Sequence, residues 1–130
     1  MDKQNQVCDL ELAKKIEGLG IKQNGFFSYF VTKIKDFHSI DLVSSDVFIV
    51  GDFGSTEKFS AFNATELGEL LPANVASFKV TDGASGLRHA GWGCRICEDG
   101  QEVHKVFADT EANARAEALI YLIESGKLKP

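Results

Sequence analysis

This sequence has no apolar run long enough to cross a membrane. The longest, such as Ala118–Ile123, is a fraction of the ~20 residues a helical span requires. The opening stretch MDKQNQVCDLE lacks the apolar core of a secretory signal, so no export by a Sec-type route is expected. There is no excess of basic charge either. Fourteen Lys and Arg stand against 19 Asp and Glu, and the formal net charge of −5 works against a polyphosphate backbone as partner. The acidic residues form no long run, which excludes an acidic tail. Internal repeats, low-complexity tracts and linkers are missing as well. Cysteine is scarce, and three cysteines in a chain expected to stay unexported read as reduced thiols in a cytoplasm.

What is there is an ordinary globular composition, 44% hydrophobic and 25% charged over 130 residues, which suits one domain spanning 1–130. The spacing predicts a first helix over 9–20, with Asp9 as N-cap and Leu12, Ala13, Ile16 and Leu19 on one face. Gly20 suits the left-handed position after the last turn, with Ile21 packing back. Residues 26–35, FFSYFVTKIK, read as a strand, followed by strands at 46–53 and 59–62. A short helix then opens at Asn63. Asn63 and Glu66 make a capping-box pair, Phe62 and Leu67 a hydrophobic staple, and Pro72 a stop. Segments 76–82, 89–97 and 102–108 read as strands, and a last helix runs from the Thr110 cap to Gly126. The apolar surface of that helix is wider than one stripe, so cover on more than one side is expected. The expected class is α+β, in the order αβββαβββα, with three helices on antiparallel sheet and the C-terminal helix packed on a β-hairpin.

Asp99-Gly100 is a two-residue turn of the type hairpins favour. That register predicts pairs Glu98–Gln101, Ile96–Val103 and Trp92–Phe107, with Leu119 and Ile123 of the last helix facing Trp92, Ile96 and Phe107. It also bears on the stretch GWGCRICEDGQEVH, whose candidate ligands with the preceding histidine are His89, Cys94, Cys97 and His104. On a strand, residues three apart point to opposite faces, whereas a zinc knuckle needs both thiolates on one ion. No second CxxC is present, and no helix start follows to activate a thiol. No metal or cofactor is therefore expected, and a small zinc or thiol protein built on Cys94 and Cys97 stays as an alternative.

Other chemistry is thin, and no catalytic residue and no enzyme activity are expected. His38 lies between Asp36 and Asp41, an acid–base pattern that a surface loop also produces. Cys8 precedes a helix cap, where a packing role suits it. GDFGSTEK, residues 51–58, lacks the spacing of a phosphate loop. Most of the ten phenylalanines fall between residues 26 and 62, and strand 26–35 carries aromatics on both faces. A strand buried on both sides explains this. So does an aromatic face held against a second copy, for which Phe26, Phe27, Tyr29 and Phe30 are the interface candidates.

The segment Thr65, Glu66, Leu67, Gly68, Glu69, Leu71 and Pro72, the run Ala108–Ala116 and the run Leu119–Leu122 resemble a group of small uncharacterised proteins encoded by bacteriophages and prophages. The resemblance implies a phage-derived protein of the host cytoplasm and carries no activity or cofactor with it. From residue 64 onward, the order of helix, three strands and helix also resembles a double-stranded-RNA-binding domain in outline. Such domains begin their last helix with lysines that meet phosphates, and here the same place reads DTEANARAE. The expected function is thus a non-enzymatic accessory or protein-interaction role. A homodimer or a phage or host protein is the expected partner, and neither a membrane nor nucleic acid is.

Overall fold

The computed structural model describes residues 6–34, 37–45, 55–80 and 91–130. Among them are three helices and two three-stranded antiparallel sheets, in the expected order αβββαβββα. Helix α1 (Leu10–Gly18) precedes strands β1 (Phe27–Ile34), β2 (Phe37–Ser44) and β3 (Ser55–Ala61). Helix α2 (Ala64–Leu70), strands β4 (Val75–Val80), β5 (Gly91–Glu98) and β6 (Gln101–Ala108), and helix α3 (Glu111–Glu124) complete the chain. The first sheet has the order β2-β1-β3 and the second β4-β5-β6.

Local chemistry ends the helices as the residues suggest. Asp9 is the N-cap of α1, although its side chain makes no capping bond. Its backbone N–H instead donates to Asn113 Oδ1 of α3 at 2.8 Å. Gly20 has φ +92°, and the amides of Gly20 and Ile21 donate back to Glu17 O and Ile16 O, closing the last turn. Gly126 (φ +76°) ends α3 in the same manner, with Lys127 N–H on Leu122 O. The capping box of α2 is complete in both directions, Glu66 N–H to Asn63 Oδ1 at 2.8 Å and Asn63 N–H to Glu66 Oε1 at 3.0 Å. Phe62 and Leu67, the staple pair, are both buried.

Three pairings differ from the expected ones. Residues 37–44, which lie between the strands expected at 26–35 and 46–53, form β2, and the strand expected at 46–53 lies outside the described residues. The β2 register sets Leu42 opposite Tyr29 and Ile40 opposite Val31, so pairing with β1 makes a strand where local composition is half polar. The hairpin starts as expected, with Asp99 at φ 52° and Gly100 at φ 79°, and Glu98 faces Gln101. A bulge then shifts the ladder by one residue. Ile96 pairs with His104 and Trp92 with Ala108, and Val103 is left outside at 43% exposure. Phe107 consequently points away from α3 and meets Phe78 edge-to-face at 6.1 Å.

The third difference is in α3. Its cover on two sides is as expected, but the sides are exchanged. Ala112, Ala116, Leu119 and Ile120 belong to the core shared with α1, α2 and the first sheet. The hairpin is met by Ala114, Ala118 and Leu122, which pack with Cys94 and Ile96. Leu119 and Ile123 therefore do not face Trp92, Ile96 and Phe107. The near-continuous apolar surface of this helix left its division between two partners open, because each side carries two alanines beside larger apolar residues.

Candidate functional site

The cysteine and histidine candidates do not converge. Cys94 is fully buried on the helix-facing side of β5, and burial pushes its thiol up to about 11. Cys97 lies half-buried three residues on, with Glu102 as its ladder partner. His104 stacks on Tyr121 of α3 with ring centroids 3.7 Å apart. His89 lies outside the described residues. Among the described residues no cluster of His, Cys, Asp or Glu is arranged to hold a metal ion. Cys8 is wholly buried in the first core, and its thiol is pushed up to about 12, mainly by burial. A thiol in that condition packs and does not attack. His38, in the middle of the acid–base pattern, is exposed on β2 opposite Lys33.

The aromatic candidates separate by face, as strand alternation requires. Tyr29 is 5% exposed and donates its hydroxyl to Cys8 O at 2.7 Å. Phe30, on the other face, is 6% exposed and carries Lys58 Nζ over its ring at 5.6 Å. Both are satisfied within one chain. Phe26 is 66% exposed and meets Phe27 edge-to-face at 5.2 Å. Its backbone is held at both ends: the N–H donates to Glu66 Oε2 at 2.9 Å, and the carbonyl accepts from Ser45 N–H at 2.9 Å. A large ring is thus presented to solvent from a fixed backbone.

Two clefts flank the start of α2. The smaller, about 300 Å³, reaches Arg115 and Cys94 between α2 and β4. Arg115 ties three elements together. Nη1 donates to Ala64 O at 2.6 Å, Nη2 donates to Ser77 Oγ at 3.1 Å, and Nη2 pairs with Glu111 Oε2 at 3.0 Å. Ser77 Oγ in turn donates to Glu111 Oε2 at 2.7 Å. The guanidinium crosses α2 at Gly68, where any Cβ would run into Nη1. The larger cleft, about 630 Å³, lies between the starts of α2 and α3 and has Trp92 as a wall. Its rim carries Asn63, Thr65, Asp109, Thr110 and Glu111. Reading the sequence missed this cleft, because its residues are scattered along the chain. The lone tryptophan was the one local sign.

The first turn of α3 is acidic, with Glu111 after the Thr110 cap, where the double-stranded-RNA-binding outline would need lysines. No helix among the described residues is long and apolar enough to cross a membrane. Comparison of the chain with protein-family models, with curated proteins and with solved structures finds no match.

Proposed function

We propose that this chain is a non-enzymatic accessory protein of phage origin, working in the host cytoplasm through contact with other protein, and that its first contact is a two-fold homodimer. Phe26 carries this reading. A phenylalanine 66% exposed, backed by Phe27 and held by two backbone hydrogen bonds, is the rigid aromatic anchor that interfaces concentrate their energy on. The resemblance to small phage proteins supports the phage origin, and the net charge of −5 speaks against nucleic acid as the partner. Of the four aromatic candidates, Phe26 is the one presented to solvent, since Tyr29 and Phe30 are buried in their own chain and Phe27 is half-buried against the first core.

Light scattering across micromolar concentrations tests the dimer. Twice the chain mass is expected, falling to the chain mass in Phe26→Ser with the circular dichroism spectrum unchanged. A wild-type protein that stays monomeric would overturn the homodimer.

A further inference from the structure

We propose that the two copies close on each other by a reciprocal exchange, Phe26 of each seating in a cavity of the other bounded by Leu10, Tyr29, Ile40 and Asp9. This rests on the homodimer reading above and names its contact. The cavity holds about 330 Å³ and lies at the side of the first sheet. The order β2-β1-β3 leaves β2 as an edge strand, while α1 packs on β3. Ile40 stands opposite the buried Val31, on the core-facing side, and is nevertheless 58% exposed. Tyr29 is a buried wall of the cavity and Leu10 of α1 a half-buried one. The seat is thus largely apolar, and the described residues leave it open at Ile40.

The chain's own Phe26 does not reach this seat. Its carbonyl accepts from Ser45 N–H at the end of β2, and Ile40 lies five residues before Ser45. At roughly 3.4 Å per residue of strand that is about 17 Å, more than a phenylalanine side chain spans. A second copy removes the difficulty. Ring and seat lie apart on one surface, so a two-fold axis lets each copy offer one of each and returns every contact. Two rings and two seats are then used, with none left over, and assembly stops at two.

Charge agrees with this seating. The acidic wall of the cavity is Asp9, whose side chain makes no capping bond. Beside Phe26 stands a base. Lys58 Nζ donates to Ser45 O at 3.1 Å and lies 5.6 Å over the Phe30 ring, so the groups that hold it are neutral. The acid near Phe26, Glu66, already accepts from the Phe26 and Asn63 amides with its two oxygens. A seated ring therefore brings a basic neighbour toward an acidic wall, and complementary charge of this kind fixes the register of a contact. Pairing of the two Phe26 rings with each other would leave Ile40 and its cavity in water.

A mixing experiment tests the exchange. Phe26→Ser lacks the ring and Ile40→Asp lacks the apolar seat, and both positions are exposed, so both variants should keep the wild-type circular dichroism spectrum. Dissociation constants are read by sedimentation of the full chain over a dilution series. Either variant alone loses both contacts. A mixed pair loses one, because the ring of the Ile40→Asp copy still meets the intact seat of the Phe26→Ser copy. With about thirtyfold for each contact of this strength, the dissociation constant should rise about a thousandfold for either variant and about thirtyfold for their equal mixture. Folded Ile40→Asp that dimerises as the wild type does would overturn the seating and leave the homodimer standing. So would a mixture that dissociates as readily as its components. Masses growing beyond twice the chain would show an open head-to-tail contact and overturn the reciprocal exchange. A monomeric wild type would remove the homodimer and the seating together.

Discussion

The two cores of this molecule are filled with side chains of different size. The core under the first sheet holds Phe62, Ile16, Leu67, Leu119, Tyr29 and Phe59, large groups contributed by every element around it. The core under the second sheet holds Cys94, Ile96, Leu122 and two alanines, Ala114 and Ala118. One helix, α3, serves both. It meets the first core with Ala112, Ala116, Leu119 and Ile120, where α1 and α2 also pack, and the second with Ala114, Ala118 and Leu122, which lie against Cys94 and Ile96 of β5. Large residues permit a thick layer assembled from several elements, while small residues permit a thin one made by two.

The comparison breaks most visibly at Phe62. Phe62→Ala removes the largest fully buried side chain together with the staple of α2, and about 3–5 kcal/mol of stability should be lost in urea unfolding. Because α3 belongs to both cores, circular dichroism and Trp92 emission should report one transition in this variant as in the wild type. Two separated transitions would show that the cores are independent. The thin layer should fail in the opposite way. Ala118→Leu adds volume where helix and sheet already touch, and a loss of about 1–3 kcal/mol is expected from overpacking. A neutral result would mean that α3 can lift off β5 at little cost.

A pH scan sharpens the contrast without changing the fold. Each core buries one thiol, pushed from 9.0 up to about 12 at Cys8 and about 11 at Cys94, and Tyr29 is pushed from 10.0 up to about 12. Burial, which disfavours the charged form, is the leading cause at all three. These groups bind protons more tightly in the folded state, so their contribution is complete below pH 9 and is lost as pH rises from 9 through 11 to 12. The unfolding midpoint should therefore be level to about pH 9 and fall beyond it, less steeply in Cys8→Ala. At pH 8 a thiol reagent should modify Cys97 quickly and the other two cysteines only on unfolding, since Cys97 alone of the three is not buried. Equal labelling of all three in the native protein would contradict the burial.

The signals that could be read from residues alone were the local ones. Asn63 with Glu66, Gly20 with Ile21 and Asp99 with Gly100 each fix their conformation within a few residues, and each stands where the sequence places it. Sequence reasoning fell short where partners far along the chain decide. His38 to Asp41 became strand because β1 offers a ladder, and Val103 was pushed out because the sheet and α3 favour His104 beside Tyr121. The faces of α3 could not be divided, since both carry alanines and leucine and only the neighbouring elements distinguish them. Of the interface candidates on β1, Phe27 and Tyr29 share the core face and Phe30 lies on the other, as strand alternation requires. Which were covered depended on tertiary contacts. The Trp92 cleft gathers residues as distant as Asn63 and Glu111, and no short motif marks such a gathering.

The shared helix also sets the timing of folding on the ribosome. Residues 111–124 emerge after both sheets have been made, yet they carry the side chains that close each core. Translation adds about 5–20 residues per second, so β1, with Phe27, Tyr29 and Val31 on its core-facing side, waits several seconds for its cover. Neither sheet can be finished early, and a nascent chain that stalls before Glu111 would expose both apolar faces at once, the condition in which chaperones are recruited.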